Sequence, residues 1–198
     1  MANTLPGRVA DATLTDRELA HPVLDHQRVY EGRVWDIVTE RVDLGHSQVQ
    51  RDFVDHTGAV AVIAQDDAGR ILLLSQYRHP TRRVFWEPPA GLLDVAGEEP
   101  VAAAARELAE EADLRAEHWE PLQTFFSSPG GSSEQIQIFL ARGLSVIPEG
   151  ERFVREDEEA DMEAVWISLD DALAGVSSGA LQCPTTVVGI LALAARRG

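Results

Sequence analysis

The sequence predicts an α/β domain, with a mixed β-sheet and helices packed on it, preceded by a small antiparallel β module. Patterns typical of strands and helices are intermixed from residue 59 onward, which favours one sheet covered by helices. Residues 28–54 instead carry only strand-like patterns around a turn at residues 45–46, as expected for an antiparallel module. We divide the 198 residues into a flexible segment 1–25, a β module 26–56 and a main domain 57–198.

The main domain begins with a buried-looking strand, 59–64, which a turn at 66–69 connects to a returning strand. Further strands are predicted at 71–77, 84–88, 119–126, 135–142 and 163–167. Helices are predicted at 100–112, 169–176 and 185–196. The first helix starts at a proline, which the first helical turn tolerates, and its interior is rich in alanine.

The formal net charge is −16, from 33 acidic and 17 basic residues. Such a chain repels phosphate backbones and anionic membranes, so nucleic acid and membrane are excluded as first-choice partners. Cys183 permits no intrachain disulfide, and no signal peptide or membrane-spanning stretch is recognisable. We therefore expect a cytoplasmic protein whose site, if its ligand is anionic, uses metal ions or clustered arginines.

Helix 100–112 carries the most informative pattern. Four apolar residues share a stripe expected to pack on the sheet: Val101, Ala105, Leu108 and Ala112. Glu107 and Glu111 are four residues apart, so they project together from a flank of that stripe. Arg106 is one turn before Glu110 and within reach of Glu98. A solvated helix face is the commonest role for such a run, but a carboxylate cluster also suits Mg²⁺.

The spacing of these residues resembles the signature of the Nudix hydrolases. Gly91 is followed by Glu98, by Arg106 to Glu111 and by Leu114, which fills every charged position of that signature. Two departures occur. Six residues instead of five separate Gly91 from Glu98, and Asp113 replaces a glycine that often has a left-handed backbone.

This resemblance implies a Nudix α/β/α sandwich with a mixed sheet and a role for each residue of the signature. The metal ligands for Mg²⁺, with Mn²⁺ as a substitute, would be Glu107, Glu110, Glu111 and the carbonyl of Ala90. Gly91, Glu98 and Arg106 would brace the loop against the helix.

Three other segments resemble ADP-ribose pyrophosphatases in particular. Residues 127–134 form a Ser/Pro/Gly-rich segment whose Ser133 and Glu134 would contact substrate, although a plain turn has the same composition. Residues 76–83 hold the densest basic patch and precede residues 86–91, which resemble the segment that enters the signature in the same enzymes. In the patch, Arg78 is the first choice for a phosphate contact, and Arg51, elsewhere, is the second.

The third segment is the acidic run 156–162. The resemblance places the catalytic base there, at Glu158 or at Glu159, beside the catalytic contribution of Glu111. A solvated acidic loop is the simpler interpretation of such a run, and the sequence does not separate the two glutamates.

The family implies hydrolysis of ADP-ribose to AMP and ribose 5-phosphate. It also implies a homodimer in which the N-terminal β module crosses to the other subunit. Tyr30 or Trp35 could stack on the adenine, although a place in the core is the commoner role for such aromatics.

Two alternatives stay open. The substrate could be another nucleoside diphosphate sugar or a dinucleoside polyphosphate, or the chain could be a non-catalytic nucleotide-binding module. The presence of all the signature carboxylates argues against the second. A serine hydrolase or an H-E-x-x-H metalloprotease is not supported, because neither motif occurs.

Overall fold

The computed structural model describes residues 13–153 and 162–197. These residues form ten strands: β1 Val23–Tyr30, β2 Asp36–Asp43, β3 Gln48–Asp55, β4 Ala59–Ala64, β5 Arg70–Arg78, β6 Arg83–Glu87, β7 Ala90–Leu92, β8 Leu114–Phe126, β9 Gln135–Val146 and β10 Ala164–Ser168. They also form three α-helices: α1 Pro100–Ala112, α2 Leu169–Ser178 and α3 Pro184–Ala195.

The strands build three sheets. The central sheet has the order β7-β4-β9-β8 and is mixed, because β4 pairs parallel with β9 while the other neighbours are antiparallel. A second sheet, β10-β5-β6, and the N-terminal sheet, β1-β2-β3, are antiparallel. The predicted mixed sheet and antiparallel β module are therefore both present.

The central sheet is covered on both faces, which confirms the α/β/α sandwich. Successive side chains of a strand point to opposite faces, so Val60 and Val62 of β4 join one core and Ala61 and Ile63 the other. The first core includes residues of α1, and the second includes residues of α2 and α3. Both faces of β4 are buried, which explains its unbroken apolar sequence.

Helix α1 ends at Asp113, whose backbone is left-handed, with φ 54° and ψ 34°. Its N–H donates to the carbonyl of Ala109 at 3.2 Å, so the turn closes the helix as a glycine would. The replacement of the usual glycine by aspartate has therefore not changed the backbone conformation at this position.

Some element boundaries differ from the predicted ones. Strand β7 was not predicted, β8 begins at Leu114 rather than at residue 119, and β1 begins at Val23, inside the segment predicted to be flexible. Strand β7 has only three residues, too few for a periodic pattern. No helix among the described residues is long and apolar enough to cross a membrane.

The β module is attached to the main domain where β3 ends. The backbone N–H of Val54 donates to the carbonyl of Gly131 at 3.0 Å, and the N–H of Ser133 donates to the carbonyl of Val54 at the same distance. The loop between β8 and β9 therefore continues the pairing of β3. This junction lies beside the cleft described next.

Candidate active site

Helix α1 buries two of its glutamates against the sheet. Only 9% of Glu107 and 7% of Glu111 are exposed, whereas Val101 is 40% exposed. The predicted stripe was therefore wrong in its orientation, because the buried face is Ala103, Ala104, Glu107, Leu108 and Glu111. The small alanines let the helix approach the sheet closely, and that approach carries the two carboxylates inward.

One arginine connects the glutamates of the loop and the helix. Arg106 donates from Nε and Nη2 to the two carboxylate oxygens of Glu98, at 3.2 and 3.1 Å. Its Nη1 donates to Glu107 at 2.6 Å and to Glu110 at 3.3 Å. The hydrogen bond with Glu98, together with the charge of Glu107, raises the pKa of Arg106 above its ordinary value. Arg106 therefore connects Glu98 of the loop to two glutamates of α1, despite the extra loop residue.

Arg106→Gln is expected to lower the free energy of unfolding by about 1–3 kcal/mol, because it removes the cation that three carboxylates share. Urea unfolding in EDTA measures this. Arg115→Gln is the matched control, since Arg115 has an exposed ion pair with Glu151, a type that contributes about 0–1 kcal/mol. Equal losses in the two variants would contradict the bracing role.

Strand β7 brings its backbone to both buried glutamates. The N–H of Ala90 donates to Oε2 of Glu111 at 2.9 Å. A methyl group added at Gly91 would overlap the carboxylate of Glu107. The two carboxylates therefore converge on two consecutive residues of the same strand, and only a glycine permits the second approach.

Carboxylate oxygens and a nearby backbone carbonyl are the donors that Mg²⁺ prefers, so the residue types at this place fit a hard divalent cation. Among residues 13–153 and 162–197, however, no three His, Cys, Asp or Glu side chains converge as a ready-made metal cluster. The signature carboxylates are oriented instead by Arg106 and by the Ala90 N–H.

A cleft of about 810 Å³ opens above β7. Its lining comes from four parts of the chain: Trp35 and Val54 of the β module side, Tyr77 and Arg78 of β5, Ala90 and Gly91 of β7, and Ser127, Ser132 and Glu134 from the loop after β8. This volume lies within the range typical of small-molecule sites, about 300–1,000 Å³. The cleft therefore joins the basic segment, strand β7 and the Ser/Pro/Gly-rich loop, whereas the glutamates of α1 are not part of its lining.

Arg78 lies in this cleft but is held by a buried acid. Its Nε and Nη2 donate to Glu87 at 3.1 and 2.7 Å, and Glu87 is 5% exposed. Burial opposes the charge, but the hydrogen bonds and charge of Glu87 outweigh it and raise the pKa of Arg78. A guanidinium has further N–H donors beyond these, so the pair fixes Arg78 without using all of its donors.

Arg51 lies elsewhere. It is an exposed residue of β3 whose Nη1 donates to the carbonyl of Gln50 at 2.8 Å. It is not part of the cleft lining. Of the two arginines proposed from the sequence, the structure therefore brings only Arg78 to the cleft within one chain.

Ser133 and Glu134 have different surroundings. The Ser133 hydroxyl accepts a hydrogen bond from the N–H of His56 at 2.8 Å, so it lies in the junction with the β module. Glu134 lines the cleft, accepts a hydrogen bond from the Ser127 hydroxyl, and lies 3.4 Å from Nε2 of His56. Glu134 is therefore part of the cleft lining, and Ser133 is not.

Only one of the two aromatic candidates lines the cleft. Trp35 lines the cleft and stacks on His56, with ring centroids 5.5 Å apart. Tyr30 is exposed on β1 and is not part of the lining.

The sequence interpretation missed His56 and Glu87. Glu87 lies inside the predicted strand 84–88 and His56 is the last residue of the predicted β module, but neither contact could be inferred without the fold. Glu158 and Glu159 lie outside the described residues.

Comparison with known proteins agrees with this geometry. A NUDIX domain model matches residues 55–182. An ADP-ribose pyrophosphatase of Mycobacterium tuberculosis is 39% identical over 171 residues, which cover 86% of this chain and 81% of that protein. An ADP-ribose pyrophosphatase of Bacillus subtilis is 37% identical over 163 residues, or 82% and 86% of the two chains.

A crystal structure of an ADP compounds hydrolase has the same fold. It superposes with a TM-score of 0.74 and covers 92% of this chain and 96% of that one, at 19% sequence identity. The family model and the two relatives match a chain that also has the signature residues on α1 and the sandwich fold. The chain therefore belongs to the NUDIX domain family of hydrolases.

Proposed function

We propose that this hydrolase cleaves the diphosphate bridge of ADP-ribose and releases AMP and ribose 5-phosphate. The observation that carries the proposal is the convergence of Glu107 and Glu111 on strand β7, which lines a cleft large enough for a nucleotide sugar. The substrate class is supported by the two relatives named as ADP-ribose pyrophosphatases, each covered over most of its length.

Mg²⁺, or Mn²⁺ in its place, would be held by the carboxylates of Glu107, Glu110 and Glu111 and by the carbonyl of Ala90. Such an ion supplies charge neutralisation of the diphosphate and a bound water of lowered pKa. The protein's part is to hold the carboxylates close together, which it does with Arg106 and the Ala90 N–H.

The other residues would orient the substrate. Arg78, fixed by Glu87, would donate to phosphate oxygens with its remaining N–H groups. Trp35 would stack on the base, and Glu134 would accept hydrogen bonds from a ribose. Glu158 or Glu159 would take the proton of the attacking water.

A homodimer with exchanged β modules is the second part of the proposal. All eight residues of β1 are exposed in the single chain, among them Val23, Leu24, Val29 and Tyr30. An exposed strand with this apolar content is a candidate interface, and a dimer would offer Arg51 a route to the partner's cleft. Light scattering during size exclusion tests it, and a monomer at micromolar concentration would contradict it.

Hydrolysis of ADP-ribose in ¹⁸O-labelled water with Mg²⁺ tests the reaction. AMP release that stops in EDTA is expected, and the label shows which phosphorus is attacked. Binding without AMP release would instead support a non-catalytic nucleotide-binding module. A GDP-mannose pyrophosphatase of Yersinia pestis is 28% identical over 71% of this chain. GDP-mannose should therefore be tested as an alternative substrate. A kcat/KM for GDP-mannose about tenfold higher than that for ADP-ribose would show that ADP-ribose is not the preferred substrate.

A further inference from the structure

His56 links the β module to the wall of the cleft. It lies between β3 and β4, and only 7% of its side chain is exposed. Its backbone N–H donates to the Ser133 hydroxyl, which fixes the main chain at this point. The ring itself lines the cleft.

The surrounding backbone selects one form of the ring. The N–H of Gly58 donates to Nδ1 of His56 at 3.0 Å, and Gly58 has φ +89°, a conformation that favours glycine. A nitrogen that accepts a hydrogen bond carries no proton, so in the neutral imidazole the proton is on Nε2. That nitrogen lies 3.4 Å from Oε1 of Glu134.

Two cleft residues depend on this ring. Oε1 of Glu134 lies 3.4 Å from Nε2 of His56, and its Oε2 accepts a hydrogen bond from the Ser127 hydroxyl. Trp35 stacks on the same ring at an interplanar angle of 25° and is still 44% exposed. One imidazole thus contacts both the polar and the aromatic side of the cleft wall.

We propose that His56 is a positioning residue that holds Glu134 and Trp35 together in the arrangement that binds the nucleotide sugar. This inference rests on the proposed function. His56 acts through its two neighbours, so its loss weakens substrate binding and leaves the chemical step nearly intact.

The first experiment needs no substrate. A ¹⁵N-detected NMR spectrum of the histidine rings in the intact protein identifies the protonated nitrogen. The His56 signals are assigned by their absence from the spectrum of His56→Gln. In the neutral ring, the proton is expected on Nε2. Protonation at Nδ1 would overturn the inference, whether or not ADP-ribose is the substrate.

The second experiment separates the two contacts. His56→Phe keeps a ring for Trp35 but removes the N–H next to Glu134, and His56→Gln keeps an amide N–H but removes the ring. Each is expected to raise KM for ADP-ribose about tenfold, with kcat within about threefold of wild type. His118→Gln, an exposed histidine on β8, is the control and is expected to behave as wild type.

A double-mutant cycle identifies the partner. The effects of His56→Phe and Glu134→Gln on kcat/KM are expected to be non-additive, because the two residues act as a unit. Additive effects, or an unchanged KM in a folded variant, would overturn the positioning role. If His56→Phe unfolds, His56→Gln with Trp35→Ala is the cycle to measure, and additive effects there would overturn the positioning of Trp35 by the ring. Failure of the wild-type protein to hydrolyse ADP-ribose would contradict the proposed function. The position of the proton on the His56 ring is measured without substrate, so that result would not be affected.

Discussion

Glu111→Gln is expected to lower kcat on the order of 10³-fold. Glutamine has nearly the same shape, and its carbonyl oxygen can still accept the hydrogen bond that Ala90 donates to Glu111. The variant therefore removes a buried negative charge and little else. The free energy of unfolding should stay within about 1 kcal/mol of wild type, so the loss of turnover would be a loss of catalysis.

The measurement is AMP release from ADP-ribose at saturating Mg²⁺, together with a denaturant unfolding curve. Glu99→Gln is a suitable control, because Glu99 is an exposed acid at the start of the same helix and makes no side-chain cap. We expect it to retain wild-type turnover. A Glu111→Gln enzyme that does the same would refute the assignment of Glu111 as a metal ligand.

Gly91→Ala is expected to lower kcat about 10²-fold or more while the protein remains folded. The added methyl group would occupy the space of the Glu107 carboxylate, so that carboxylate has to leave its position. Overpacking of this kind costs about 1–3 kcal/mol of stability. The displaced Glu107 would also strain its bond to Arg106.

Gly150→Ala provides the matched comparison, since a methyl group there meets nothing within 4 Å. A crystal structure of Gly91→Ala checks the cause directly, because Glu107 should have moved away from β7. Full activity in this variant would show that the close approach of Glu107 to Gly91 is unnecessary for the reaction.

The signature was readable from the sequence because it is local. The spacing from Arg106 to Glu111 requires only one helix, and that helix begins and ends where the proline and Asp113 indicate. The central strand β4 was equally predictable, since strands buried on both faces are uninterrupted apolar runs. Family membership follows from these local features and was confirmed by the comparisons.

The orientation of helix α1 was not predictable in the same way. Counting apolar residues placed Val101 on the packed side and the glutamates on a flank. The structure instead buries Glu107 and Glu111 and exposes Val101. Choosing the buried face from the apolar residues alone assumes that burial of charge is unfavourable. Here Arg106 and the Ala90 N–H, contributed from outside the stripe, compensate that cost.

The sequence by itself determined the acidic residues of α1, because their spacing is short-range, and through the resemblance of that spacing to the Nudix signature it determined the family and the α/β/α sandwich that the family implies. Only the tertiary structure decided which residues meet in the cleft. Arg78 is fixed by Glu87, and His56 reaches Glu134, 78 positions along the chain, because β4 and β9 lie side by side in parallel. Such contacts arise from strand order, which no local pattern encodes.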